Sequence, residues 1–213
     1  DEIKSDISTL MVHELRNPLG AAKSIVSQLI EEEDDPGKIK SLWDLDKQIE
    51  RLERIIQQIE YITMAQLGLY KPRNQKIDVK KLVDEVLEEV EGLRKTKSIS
   101  IESKVDIKTM EQDSFIIKTI LKNLLSNALK YSLENSRVIL EITEDHLSVQ
   151  DFGIGIPDSE VDKVFDRFYR SPAAVKMASG SGLGLPVVKH LCNIAGFTID
   201  FETKHLIGTK VTI

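Results

Sequence analysis

The sequence predicts an α+β protein in two parts, an N-terminal antiparallel helical hairpin followed by an α/β sandwich with a mixed sheet. Three observations predict it. Two long stretches carry apolar residues at alternating spacings of three and four. A turn-rich polar segment follows them. Beyond that segment, strand-like runs alternate with amphipathic helical runs.

The first stretch holds Val12, Leu15, Leu19, Ala22, Val26 and Leu29. The second holds Leu42, Leu45, Ile49, Leu52, Ile56 and Ile59. Each reads as a heptad seam on a helix of roughly 30 residues. DDPGK lies between them, and its Pro36-Gly37 dipeptide is read as the turn. Further apolar residues sit off the seams (Ile3, Ile7, Leu10, Ile25, Ile55, Ile62), so the apolar face is wider than one hairpin can cover. Two hairpins packed as a four-helix bundle cover it, and a homodimer is expected. A monomeric hairpin packed on its own second domain is the alternative. The hairpin is placed at 1–67, a linker (GLYKPRNQ) at 68–75 and the second domain at 76–213.

In that domain KIDV reads as a strand and Val79–Lys95 as an amphipathic helix. SISIES reads as a strand by alternation. Asp113 N-caps a helix through FIIKTILKNLLSNALKYS. RVILEITEDHLSVQDFG forms a hairpin around Glu144–His146, LGLPVVKHLCNIAG a helix ending at Gly196, and FTIDFET and GTKVTI the last strands. Residues 157–181 show no regular pattern, and a loop that long is usually a lid or disordered.

Composition excludes several classes. Hydrophobic residues are 41% of the 213 and charged residues 30%, as for a globular protein with a core. The net charge of −6, with no Lys/Arg block, argues against nucleic acid or an anionic membrane surface as the main partner. One cysteine, Cys192, allows no intramolecular disulfide and reads as a buried small hydrophobe. No apolar run is long enough to span a membrane. The chain starts in helical pattern without a methionine and reads as a cytoplasmic fragment, with any anchor or sensor of a parent protein lying upstream.

Five short motifs carry chemistry. HELRN (13–17) lacks the second histidine that a zinc protease needs, because Asn17 stands there. His13 survives as a nucleophile at the flank of the seam, with Glu14 able to accept its ring N–H; a plain surface histidine is the alternative. Pro18 should bend the helix just beyond. In NLLSNALKYS, Asn123, Asn127 and Lys130 share a helical stripe, with Tyr131 beside it. Two amide oxygens and a lysine suit Mg²⁺ with polyphosphate; a solvated polar face is the other reading. In DFGIGIP, Asp151 can accept from an exocyclic amine such as that of adenine, and Gly153 and Gly155 would let backbone approach a flat ring. GSGLGL (180–185) opens a helix where phosphate could meet backbone N–H groups. Between these, VFDRFYR offers Arg167 and Arg170 to phosphate, while Phe165 and Phe168 are expected on a short amphipathic helix packed on the core.

In order and spacing these motifs resemble those of bacterial two-component sensor histidine kinases along nearly all 213 residues: HELRNPL the H box, NLLSNALKYS the N box, DFGIGIP the G1 box, FDRFYR the F box and GSGLGLPVVK the G2 box. The resemblance implies a dimerisation and histidine-phosphotransfer hairpin followed by an ATP-binding domain of the Bergerat type. His13 would be the phospho-accepting nucleophile, Glu14 its base, and Asn17 the residue that orients water to dephosphorylate the partner aspartate. Asn127 would bind Mg²⁺ with Asn123 assisting, and Lys130 and Tyr131 would contact the nucleotide. Asp151 would read adenine, Gly153 and Gly155 would line the base pocket, and Arg170, with Arg167, would reach phosphate. Gly180, Ser181, Gly182, Leu183, Gly184 and Leu185 would flank the triphosphate. Ser181 departs from the threonine of many relatives but keeps a hydroxyl.

The expected activity is transfer of the ATP γ-phosphoryl group to His13 and then to an aspartate of a response-regulator receiver domain, with dephosphorylation of that regulator as a further activity. The alternatives are a Bergerat-fold ATPase and a degenerate scaffold without catalysis.

Overall fold

The chain divides into two compact units, Asp1–Tyr70 and Lys71–Ile213. The structure, a computed structural model, describes the backbone of residues 2–66 and 70–213; the side chains of 2–13, 54, 58, 60–62 and 64–66 lie outside the described residues. His13 is thus described as a position on a helix and not as a side chain. The side chains of Ile3, Ile7, Leu10, Val12 and Ile62, and linker positions 67–69, also fall outside.

The first unit is a hairpin of α1 (Glu2–Glu32) and α2 (Pro36–Gln66). Helix α1 is continuous through Pro18. The turn is Glu33–Asp35, earlier than expected, because Pro36 and Gly37 belong to α2. Proline suits the first position of a helix, where a missing N–H breaks no bond. Asp35 caps it: its Oδ1 accepts from the backbone N–H of Gly37 at 2.8 Å and of Lys38 at 3.1 Å. Val26 and Ile49 are buried, and Lys23 Nζ donates to Glu53 across the helix pair at 2.9 Å. Seam residues Leu15, Leu29, Leu45 and Leu52 stay about half exposed in the single chain, at 45–54%.

The second unit begins with β1 (Asn74–Asp78), so the last two positions of the expected linker lie in a strand. Then follow α3 (Val79–Thr96), β2 (Ser100–Val105), β3 (Thr109–Asp113), α4 (Ser114–Tyr131), β4 (Arg137–Ile142), β5 (Leu147–Asp151), α5 (Pro172–Met177), α6 (Gly184–Ala195), β6 (Asp200–Lys204) and β7 (Gly208–Thr212). Five strands form one sheet in the order β2-β4-β5-β7-β6. The β2–β4 pair is parallel and the others antiparallel. Strands β1 and β3 pair as a separate antiparallel ribbon, Ile77 opposite Met110. Strand β3, TMEQD, was not expected. It has too few apolar residues for alternation to register.

On β4 the pleat puts Val138, Leu140 and Ile142 in the core and leaves Arg137, Ile139 and Glu141 less covered. That buried face meets α4, whose own stripe of Ile116, Ile117, Ile120, Leu121, Leu124, Leu125, Ala128 and Leu129 is buried. The segment 157–181 is more regular than its sequence suggests. It contains a 3₁₀ turn at Asp158–Lys163 and the short helix α5, which Ser171 caps by accepting from Ala174 N–H. Residues 164–170 form no helix. Phe165 lies edge-on to Phe201, with ring centroids 5.4 Å apart and Lys189 above it. Phe168 is 64% exposed and does not pack on the core.

Candidate functional site

Helix α4 organises the site. Asp113 sets its start: Oδ1 accepts from Ile116 N–H at 3.1 Å and Oδ2 from Arg73 N–H at 2.7 Å. With the apolar stripe buried, Asn123, Asn127 and Lys130 are left half covered on another face. Asn123 donates from Nδ2 to the carbonyl of Thr119 at 2.8 Å, and its Oδ1 lies toward the start of α6. A Cβ on Gly184 would stand 3.3 Å from Asn123 Oδ1 and 3.3–3.4 Å from the amide of Asn127. Two sequence motifs 60 residues apart are thereby brought to one point.

That point is also a helix N-terminus. Helix α6 begins at Gly184 with no side-chain cap. Its first N–H groups have no intrahelical acceptor, and Pro186 contributes none. Ser181 Oγ accepts from Leu183 N–H at 3.3 Å, and Leu183 is fully buried. The arrangement offers amide oxygens to a cation and backbone donors to an anion within one small region.

The loop before α6 rests on the segment before α5. Gly182 has φ +70, and a Cβ there would strike Phe168 at 2.7 Å; Phe168 N–H donates to Gly182 O at 3.0 Å. Gly180 faces the Arg170 guanidinium and, at 3.9 Å from its Cβ position, the Tyr131 hydroxyl. Arg170 was expected to reach phosphate. Its Nη2 instead donates to the carbonyls of Ala174 (2.9 Å) and Ala178, so it ties α5 together. Arg167 and Leu185 lie near this segment in sequence, the first exposed and the second half-buried.

Asp151 ends β5 and is 8% exposed. Burial pushes its carboxyl up to about 6, against the opposing backbone N–H groups of Gly153 and Thr209. The Gly153 N–H donates to Oδ1 at 2.9 Å. The clearance at Gly153 and Gly155 is occupied by the chain itself: a Cβ at 153 would meet Tyr131 O at 1.9 Å, and one at 155, where φ is +56, would meet Lys204 O at 2.0 Å. These glycines let the turn seat on the end of α4 and the end of β6.

The sequence did not single out Lys97. Its Nζ donates to the carbonyls of Lys130 and Ser132, the latter at 3.0 Å, and so caps α4 beside Tyr131. Burial lowers its pKa. A lone loop lysine 33 residues from its acceptor leaves no local signal. Lys97→Met should destabilise the second unit by about 1 kcal/mol and weaken nucleotide-analogue binding several-fold. Unchanged melting and unchanged titration would refute that role.

Among the described residues, no cluster of three His, Cys, Asp or Glu side chains could hold a metal. Residues 112–213 match the family described as histidine kinase-, DNA gyrase B- and HSP90-like ATPase. The full chain aligns with the sensor histidine kinase WalK of Bacillus subtilis (strain 168) at 29% identity, spanning 36% of that protein. Residues 112–213 carry that ATPase domain, and the chain as a whole is similar to sensor histidine kinases. Sensor protein ChvG of Rhizobium meliloti (strain 1021) is 28% identical over 89% of this chain and 35% of its own length. The chain thus spans about a third of the length of these two curated relatives. Full-length ShkA in complex with AMPPNP shares the fold, with TM-score 0.81 over 97% of this chain and 44% of that one at 21% identity. The mycobacterial sensor histidine kinase MprB is 29% identical over 66% of this chain and 95% of its own, with TM-score 0.56. Among the described residues, no helix is long and apolar enough to cross a membrane.

Proposed function

We propose that this histidine kinase transfers the γ-phosphoryl group of ATP to a ring nitrogen of His13 and from there to an aspartate of a response-regulator receiver domain. The observation that carries the nucleotide half is the meeting of the Asn123 and Asn127 amides with the uncapped start of α6, with Asp151 on β5 and Tyr131 at the end of α4. The donor set suits Mg²⁺: Asn127 would hold the ion with Asn123 assisting, and the ion would neutralise charge on the phosphates. Asp151 would accept from the adenine amine. Lys130, Tyr131 and the Gly180–Leu185 loop would lie along the phosphates, with Arg167 and Arg170 nearby. In this reading the first unit is the dimerisation and phosphotransfer domain. The half-exposed seam leucines support a four-helix bundle made with a second copy.

The test is incubation of the wild-type chain with γ-labelled ATP and Mg²⁺. Acid-labile, alkali-stable label on the protein, transferred to a receiver domain, is expected. Steady phosphate release without protein label would make it an ATPase.

Glu14 and Asn17 are both exposed on α1, and position 17 is one turn from 13. Glu14 would accept the ring N–H of His13, and Asn17 would orient the water that attacks the phosphorylated regulator. Asn17→Ala is therefore expected to keep autophosphorylation and lose phosphatase activity by about 100-fold. Equal loss of both activities would sink the separation of roles.

A further inference from the structure

We propose that Thr203, on β6, is a positioning residue for nucleotide recognition. The inference rests on the nucleotide-site reading above and extends it to a side chain outside all five sequence motifs.

The turn after Asp151 has no regular structure of its own, so its shape must be imposed. The β6–β7 hairpin imposes much of it. Leu206 N–H donates to Ile154 O at 2.7 Å. Ile156 N–H donates to Thr203 Oγ1 at 2.9 Å, a side-chain bond that closes the far end of the turn. The same oxygen lies 3.0 Å from Thr209 Oγ1 and 3.3 Å from Gly208 O. The backbone N–H of Thr209, in turn, faces the Asp151 carboxylate and favours its charged form.

A hydroxyl has one proton and two lone pairs. Thr203 Oγ1 spends one lone pair on Ile156. If its proton goes to Gly208 O, the Thr209 hydroxyl donates to it and keeps only acceptor capacity. If its proton goes to Thr209, that hydroxyl is left with a donor to spare. Either way Thr203 decides both where the turn sits and what Thr209 presents beside Asp151. Only a side chain that accepts and donates at once can do this, which excludes valine and admits serine.

The experiment compares wild type, Thr203→Val and Thr203→Ser in the full chain, titrating non-hydrolysable analogues of ATP and GTP. Thr203→Val should weaken ATP-analogue binding about tenfold, the cost of a part-buried N–H left unpaired. It should also lower the ratio of ATP-analogue to GTP-analogue affinity, which a general loss of stability would not move. Thr203→Ser should stay within about twofold of wild type. Amide exchange in the wild type supplies a check independent of folding, since the Ile156 N–H should be protected. Unchanged binding and ratio in Thr203→Val, equal damage in Thr203→Ser, or rapid exchange at Ile156 would each overturn the inference. Wild type that binds neither analogue would instead overturn the nucleotide-site reading on which it stands.

Discussion

His13→Gln is expected to bind an ATP analogue as the wild type does and to acquire no acid-labile phosphoryl label. Every group assigned to the nucleotide belongs to the second unit, whereas position 13 is on α1. Binding and phosphoryl acceptance should therefore separate cleanly. Glutamine keeps polarity and helix propensity but has no ring nitrogen to attack phosphorus. The other histidines are poor substitutes. His146 sits in the β4–β5 turn with Nδ1 3.0 Å from Thr143 Oγ1 and Nε2 3.5 Å from Glu141. His190 lies within α6, and His205 in the β6–β7 turn. Undiminished label in His13→Gln would refute the assignment of the nucleophile. Loss of analogue binding would refute the separation.

Asp151→Asn should do two opposed things. It should weaken ATP-analogue binding by about 100-fold, the scale of a lost charged hydrogen bond. It should also make the unliganded second unit more stable at neutral pH. The carboxyl is raised from 3.8 to about 6 by burial, so the folded state holds its proton more tightly than the unfolded chain. The stabilisation this provides is complete below about pH 4 and is lost as pH rises through 6. At pH 7 the wild type has lost it, on the order of 2–3 kcal/mol. An asparagine never ionises, yet its Oδ1 can still accept from Gly153. Melting as a function of pH tests this: the two proteins should coincide near pH 4, separate between 4 and 6, and keep a constant gap above 6. Parallel curves, or a variant less stable at pH 7, would refute it. In the wild type, analogue affinity should fall as pH drops below about 6 and the carboxylate takes up its proton.

Much of this was legible from residue spacing. The heptad seams placed both long helices, and the Asn123–Asn127–Lys130 stripe followed from helical periodicity. Asp113 was recognisable as a cap because its chemistry is local. The hairpin turn was misplaced because Pro-Gly is turn chemistry in isolation but a helix start when an aspartate precedes it. Strand β3 and helix α5 were invisible because neither carries a periodic apolar pattern. Lys97 and Thr203 were invisible for another reason: their meaning lies in contacts 33 and 47 residues away. Arg170 was assigned from its charge and its motif, and nearby carbonyls of α5 compete for its guanidinium.

The glycines beside Asp151 bear on attempts to re-engineer the pocket. A glycine that leaves space for a ligand can be enlarged to exclude that ligand, or can accept a base analogue with an added substituent. The spaces at Gly153, Gly155 and Gly208 are filled by the carbonyls of Tyr131, Lys204 and Asp151. No modified nucleotide can exploit them, and no compensating change in the nucleotide can rescue their replacement. An orthogonal kinase–nucleotide pair built on this scaffold would have to be cut from side chains, because the backbone around the proposed base site is already in contact with itself.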